Sequence, residues 1–143
     1  MNIMVIGAGY VGLITASGLA ETGHRVICVD DDQGKIDTLI AGGMPFYEPG
    51  LGDLVKRNRE ARRLEFISRI EYALAQCEVI FICVGTPPLE NGEADLSSVE
   101  TVARRISACA SSCSGVFLCG ALPTDVPKVR PLSCWMRVMI VSA

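Results

Sequence analysis

Short runs of consecutive apolar residues alternate along the chain with longer stretches in which apolar positions recur every three or four residues. The runs are Asn2–Ile6, Arg25–Val29 and Glu78–Val84, and Leu64–Ile67 is a candidate short strand. Residues apolar on both faces of a strand predict buried parallel strands. Between them the period changes. Val11–Thr22 carries Val11, Ile14 and Leu19 with small residues between, which predicts a helix packed closely on a sheet and ended by Gly23. Asp32 is placed to cap a helix running through Ile36, Leu39 and Ile40 and stopped by Gly42 and Gly43. Leu51, Leu54 and Val55 open a further helix that turns strongly polar from Lys56 to Arg63. Ile70–Gln76 predicts a helical turn or two, and Leu96–Ile106 an amphipathic helix; Pro45–Gly50 and Pro87–Gly92 are loops. Strands alternating with helices predict an α/β fold, a Rossmann-type doubly wound parallel sheet. Val116–Cys119 is a candidate for one more strand, and beyond it the expected sheet is incomplete on its C-terminal side.

Composition narrows the class. At 143 residues, 50% hydrophobic and 20% charged, the chain has the length of one domain and enough apolar mass for a core. A net charge of −3 argues against a nucleic-acid partner, which wants a clustered basic face. The basic run Lys56–Arg63 reads as a solvated helix face. The apolar stretch Ile3–Ile6 is too short for a signal peptide, and no run of about 18 apolar residues predicts a membrane span. An odd number of cysteines, seven, without a signal points to a reducing cytoplasm. Charge and cysteine are unevenly spread. Residues 1–107 hold 15 acids against 10 bases and three cysteines, whereas residues 108–143 hold one acid, three bases and four cysteines.

Gly7-Ala8-Gly9-Tyr10-Val11-Gly12 is a G-x-G-x-x-G turn lying between an expected strand and an expected helix. Each glycine serves a separate purpose. Gly7 allows the tight turn, Gly9 the close approach of a diphosphate to backbone, and Gly12 the close packing of helix on sheet. The diphosphate then rests on free N–H groups at the positive end of the helix. Asp30 ends the second strand, where a carboxylate accepts the hydroxyls of an adenosine ribose and repels a 2′-phosphate. NAD is therefore expected over NADP, with Asp31 and Asp32 adding to the repulsion. Lys35, one helical turn on, either reaches the same ribose or is solvated.

Three further segments carry a family resemblance: I-G-A-G-Y-V-G-L at residues 6–13, P-F-Y-E-P-G-L at Pro45–Leu51, and F-I-C-V-G-T-P at Phe81–Pro87, followed by Gly92, Ala94, Asp95 and Leu96. Together they resemble the UDP-glucose/GDP-mannose dehydrogenase family over residues 1–107. The resemblance implies NAD-dependent oxidation of UDP-glucose to UDP-glucuronate in two steps, with an enzyme cysteine trapping the aldehyde as a thiohemiacetal. It implies that Gly7, Gly9, Tyr10, Val11 and Gly12 hold the diphosphate, that Asp30 and Lys35 hold the adenosine ribose, and that Val84, Gly85 and Thr86 line the cofactor. Glu48 in the E-P-G-L loop reads as a carboxylate that shapes its turn.

The chain departs from the family past residue 107. The family segment S-T-V-P-x-G-T is expected where Gly120-Ala121-Leu122-Pro123-Thr124 stands, and only Pro123 fits. The change of texture near residue 108 reads as a frameshifted or abnormally terminated frame, giving an NAD-binding domain over 1–107 and a divergent tail over 108–143. The family's substrate and catalytic domain has no counterpart here, so no residue of the chain is assigned a catalytic role. Cys109, Cys113 and Cys119 lack metal-ligand spacing, and no metal site is assigned. Cys28 and Cys83 read as inert core residues, and His24 as a turn residue. The expected partner is a nucleotide sugar, with homo-oligomers only for a full-length protein. The alternatives are a GDP-mannose or other nucleotide-sugar dehydrogenase, or a non-catalytic NAD-binding fragment.

Overall fold

A computed structural model describes residues 1–110, 117–118 and 137–140. The order is β1 (Asn2–Ile6), α1 (Tyr10–Glu21), β2 (Arg25–Val29), α2 (Gln33–Ile40), α3 (Leu51–Glu60), β3 (Leu64–Ile67), α4 (Ile70–Leu74), β4 (Val79–Ile82), α5 (Ser97–Ala110), β5 (Phe117–Leu118) and β6 (Arg137–Ile140). The strands form one parallel sheet in the order β3-β2-β1-β4-β6-β5. The strand order reverses between β1 and β4, the switch point at which open α/β sheets bind ligands.

Alternation along each strand divides the core between the two faces of the sheet. Ile3 and Val5 of β1 join Val26 and Cys28 of β2 beneath α1, α2 and α3. Met4 and Ile6 point the other way and meet Ile27, Val29, Ile80 and Ile82 beneath α4 and α5. That period-two division explains why these strands read as unbroken apolar runs: both faces are covered. Each fully buried Leu or Ile contributes about 1.5–3 kcal/mol relative to exposure.

The helix α1 packs closely on the sheet, as its small residues predict. Its buried face consists of Gly12, Leu13, Ala16, Ser17 and Ala20, while Ile14 stands 37% exposed. Apart from Leu13 the buried side chains of α1 are small, which lets the helix axis approach the sheet. Gly23, with φ +95°, ends the helix as expected. Asp32 caps α2 by accepting the Lys35 amide at 3.2 Å.

The predicted strand at 116–119 is present as β5, but it does not lie beside β4. That place is taken by β6, drawn from a stretch with no recognisable pattern, and β5 pairs outside it. Residues 120–124 lie outside the described residues.

Candidate functional site

Three strand ends converge at the C-terminal edge of the sheet. After β1 the chain turns at Gly7, whose φ is +105°. Its amide donates to the Val29 carbonyl at 2.7 Å, tying the turn to β2. A Cβ on Gly7 would stand 2.5 Å from the Cys83 carbonyl oxygen, so the turn also needs glycine to pass β4. A Cβ on Gly12 would overlap the Gly7 carbonyl and crowd the Cys83 Cβ. The third glycine therefore makes room for the loop that precedes it as well as for the sheet.

Gly9 differs from both. It is the N-cap of α1, with φ −76° and ψ −171°, and no side chain caps the helix. A Cβ built there meets nothing within 4 Å. The fold itself does not require glycine at this position, and the space in front of it adjoins the first amides of α1, which a helix leaves without internal partners. An open cradle at a positive helix end fits a diphosphate.

Asp30 lies just past β2 with its side chain 13% exposed. One carboxylate oxygen accepts the Ala8 amide at 2.7 Å and the other the Asp32 amide at 2.9 Å. Lys35 Nζ stands 3.6 Å from Asp30 and 3.8 Å from Asp32. Val84, Gly85 and Thr86 follow β4, opposite the glycine turn. Gly7, Asp30 and Val84 thus meet on one cleft of about 290 Å³, with an apolar floor that includes Ile6, Val29 and Val102. Tyr10 turns away from that cleft. Its hydroxyl donates to Glu48 at 3.0 Å and its ring packs 5.5 Å from Phe46, centroid to centroid. The hydrogen bond to Glu48, reinforced by the carboxylate's charge, raises the phenol above its ordinary range. Glu48 therefore does more than shape its own turn: it fastens the E-P-G-L loop to the start of α1.

Sequence reading missed the cleft's far wall. Ser97, Thr101 and Arg105 of α5 line it. Arg105 Nη1 donates to both oxygens of Asp31 at 2.9 and 2.8 Å, and Nη2 to Glu71 at 3.3 Å. The Asp31 bonds, ahead of those to Glu71, hold the guanidinium pKa above its ordinary value. The signal available in sequence was only that Arg105 sits one turn past Thr101 on an amphipathic helix.

Other candidates separate from the site. Three arginines of the basic run are engaged within the protein, Arg63 by Glu21 and Asn58. Arg57 pairs with Glu21 at 2.8 Å, and Arg59 donates to the Leu39 and Ile40 carbonyls at 2.7 and 2.9 Å. Cys28 and Cys83 are buried, as expected of core residues. Burial raises the Cys28 thiol far above its usual range and pushes Cys83 up to about 11, so neither is a thiolate near neutral pH. His24 lies in the turn before β2, where its amide donates to the Leu19 carbonyl. Among the described residues no group of three His, Cys, Asp or Glu is placed to hold a metal, and no helix is long and apolar enough to cross a membrane. Cys113, Cys119 and Cys134 lie outside the described residues.

The family model for the NAD-binding domain of UDP-glucose/GDP-mannose dehydrogenases matches residues 1–118. UDP-glucose 6-dehydrogenase YwqF of Bacillus subtilis is 48% identical over 107 residues, which are 75% of this chain and 24% of that protein. GDP-mannose 6-dehydrogenase of Pseudomonas aeruginosa is 43% identical over 106 residues, 74% of this chain and 24% of that protein. A solved ternary complex of a Pseudomonas aeruginosa GDP-mannose dehydrogenase superposes with a TM-score of 0.80 at 34% identity, over 99% of this chain and 28% of that one. The chain thus spans roughly a quarter of the length of the curated relatives it matches.

Proposed function

The chain belongs to the UDP-glucose/GDP-mannose dehydrogenase family and binds NAD as its cofactor, and from that premise we propose that it forms the NAD-binding part of an enzyme oxidising UDP-glucose to UDP-glucuronate. The observation that carries the reading is the conjunction of an open Gly9 cradle with the nearly buried Asp30 carboxylate on one edge of the sheet. In this reading Gly7, Gly9, Tyr10, Val11 and Gly12 bind the diphosphate through the α1 amides. Asp30 and Lys35 bind the adenosine ribose, and Val84, Gly85 and Thr86 border the cofactor past β4. Asp30 is held in place by two backbone amides, and its oxygens face the position where ribose hydroxyls would donate. Ile6, Val29 and Val102 give the cleft an apolar lining suited to the adenine base. When bound, NAD supplies the hydride acceptor. The base for the sugar hydroxyl and the thiolate for the aldehyde stage are assigned to the remainder of the family's length, outside this chain. Higher identity to the UDP-glucose relative than to the GDP-mannose one supports UDP-glucose as substrate. Residues 1–107 make up the NAD-binding domain and 108–143 a divergent tail. The free thiols of Cys28, Cys77, Cys83 and Cys109 support a cytoplasmic setting.

The test has two arms. The purified chain is expected to bind NAD in a calorimetric titration, yet to form no NADH when UDP-glucose is added. Residues 1–107 grafted in place of the matching part of the Bacillus subtilis UDP-glucose 6-dehydrogenase are expected to give an enzyme that forms NADH from UDP-glucose. A folded chimera that binds the sugar but not NAD would refute the assignment.

A further inference from the structure

Asp30 and Asp31 are adjacent in sequence and border the same cleft, but their surroundings differ. The Asp30 side chain is 13% exposed and accepts backbone amides. The Asp31 side chain is 72% exposed, and both its oxygens accept from one nitrogen of Arg105, which arrives from α5 across 74 residues of chain. The other guanidinium nitrogen meets Glu71 at the start of α4, at the longer distance of 3.3 Å. A cation on this wall, beside the carboxylate that would hold the adenosine ribose, is what recognition of a 2′-phosphate uses, because a guanidinium matches phosphate bidentately. The second cation on this side of the site, Lys35, is likewise occupied, by Asp30 and Asp32. Both cations on this side of the site are thus engaged by carboxylates.

We propose that Asp31 sets the choice of NAD over NADP through Arg105, engaging the guanidinium so that it is not available to a 2′-phosphate. The inference rests on the proposed placement of the adenosine ribose at Asp30. It assigns the two neighbouring carboxylates different parts: Asp30 binds the ribose, and Asp31 acts by engaging an arginine. Plain repulsion by Asp31 would also disfavour NADP, but it would operate whether or not Arg105 were present, and that difference separates the two accounts.

The experiment titrates NAD and NADP against four forms of the full chain: wild type, Asp31→Ala, Arg105→Gln and Asp31→Ala/Arg105→Gln. Both residues make exposed ion pairs, which contribute little to stability, so all four forms are expected to melt together. Asp31→Ala is expected to bind NADP about tenfold more tightly than wild type, with NAD affinity changed less than about threefold. In the double variant that gain is expected to vanish. A gain that survives the loss of Arg105 would show repulsion alone and overturn the inference, as would an Asp31→Ala chain with the wild-type preference. A folded wild-type chain that binds neither dinucleotide would remove the ribose placement and the inference together.

Discussion

Gly9 offers a separation that substitutions rarely give, between what the fold needs and what the ligand needs. Replacing it by valine adds a side chain where nothing lies within 4 Å, at φ −76° and ψ −171°, which an L-residue adopts without strain. Two small effects on stability oppose one another. An apolar residue is a poorer N-cap than glycine by roughly 0.5–1 kcal/mol, and loss of glycine's freedom in the unfolded chain returns about 0.4–1 kcal/mol. The folded protein should therefore change by less than about 1 kcal/mol. The effect on NAD should be far larger. The added methyl groups stand where the diphosphate would reach the first amides of α1, and losing two charge-assisted hydrogen bonds at roughly 1.5–3 kcal/mol each removes about 3–6 kcal/mol. At 1.4 kcal/mol per tenfold, that is a weakening of at least about 100-fold. Gly12→Ala is the contrasting control. Its Cβ overlaps the Gly7 carbonyl, so the loop must shift at a cost of about 1–3 kcal/mol, lowering Tm by roughly 3–12 °C. Calorimetric titration with NAD and thermal melts of the three chains read both quantities. A Gly9→Val chain that melts with wild type and binds NAD within threefold of it would show that the diphosphate lies elsewhere.

Asp30→Ala should weaken NAD by more than tenfold while leaving NADP less affected, since it removes a ribose acceptor, a repelling charge and the partner of the Ala8 amide together; equal losses for both cofactors in parallel titrations would contradict this. Ser17 is fully buried in α1 with an unpartnered hydroxyl, so Ser17→Ala should raise stability by about 1 kcal/mol in urea unfolding, through better helix propensity and no unmet hydrogen bond; a lowered midpoint would mean the hydroxyl is satisfied after all. Burial pushes the Cys77 and Cys83 thiols up to about 11. At pH 8 roughly 0.1% of such thiols are ionised, and raising pH toward 11 increases that fraction tenfold per unit. Alkylation followed by peptide mass spectrometry should therefore find Cys28, Cys77 and Cys83 protected in the native chain and modified in denaturant, with fast native labelling of Cys83 the contrary result.

Much of this architecture was legible because it is written locally. The bounds of β1 and β2 follow from contiguous apolar runs, and the Asp32 cap from a side chain three residues before the amide it accepts. The glycine turn announced itself because strand, tight turn and helix start fall within a dozen residues. What stayed hidden depends on residues far apart in sequence. Asp31 and Arg105 are 74 positions apart and Tyr10 and Glu48 are 38 apart, and no period links such pairs. The placement of β6 beside β4 had no signal in a stretch without recognisable motifs.

The way the cleft is tethered suggests which step its residues govern. Gly7 is bonded to Val29, Cys83 to the Ile6 carbonyl at 2.8 Å, Ala8 to Asp30, and Asp30 to the Ile67 carbonyl at 3.3 Å. Successive strand ends are thus cross-linked by backbone bonds and by the Asp30 side chain. In the proposed placement these strand ends face the adenosine and diphosphate, parts of a cofactor that do not change during hydride transfer. Interactions equal in ground and transition state lower the concentration of cofactor required without accelerating the chemical step. Rate acceleration must come from groups that hold sugar carbon, nicotinamide and proton acceptor in line. The division of labour across the family's length follows from this: the described residues can secure one reactant, and the chemistry demands a second surface facing it.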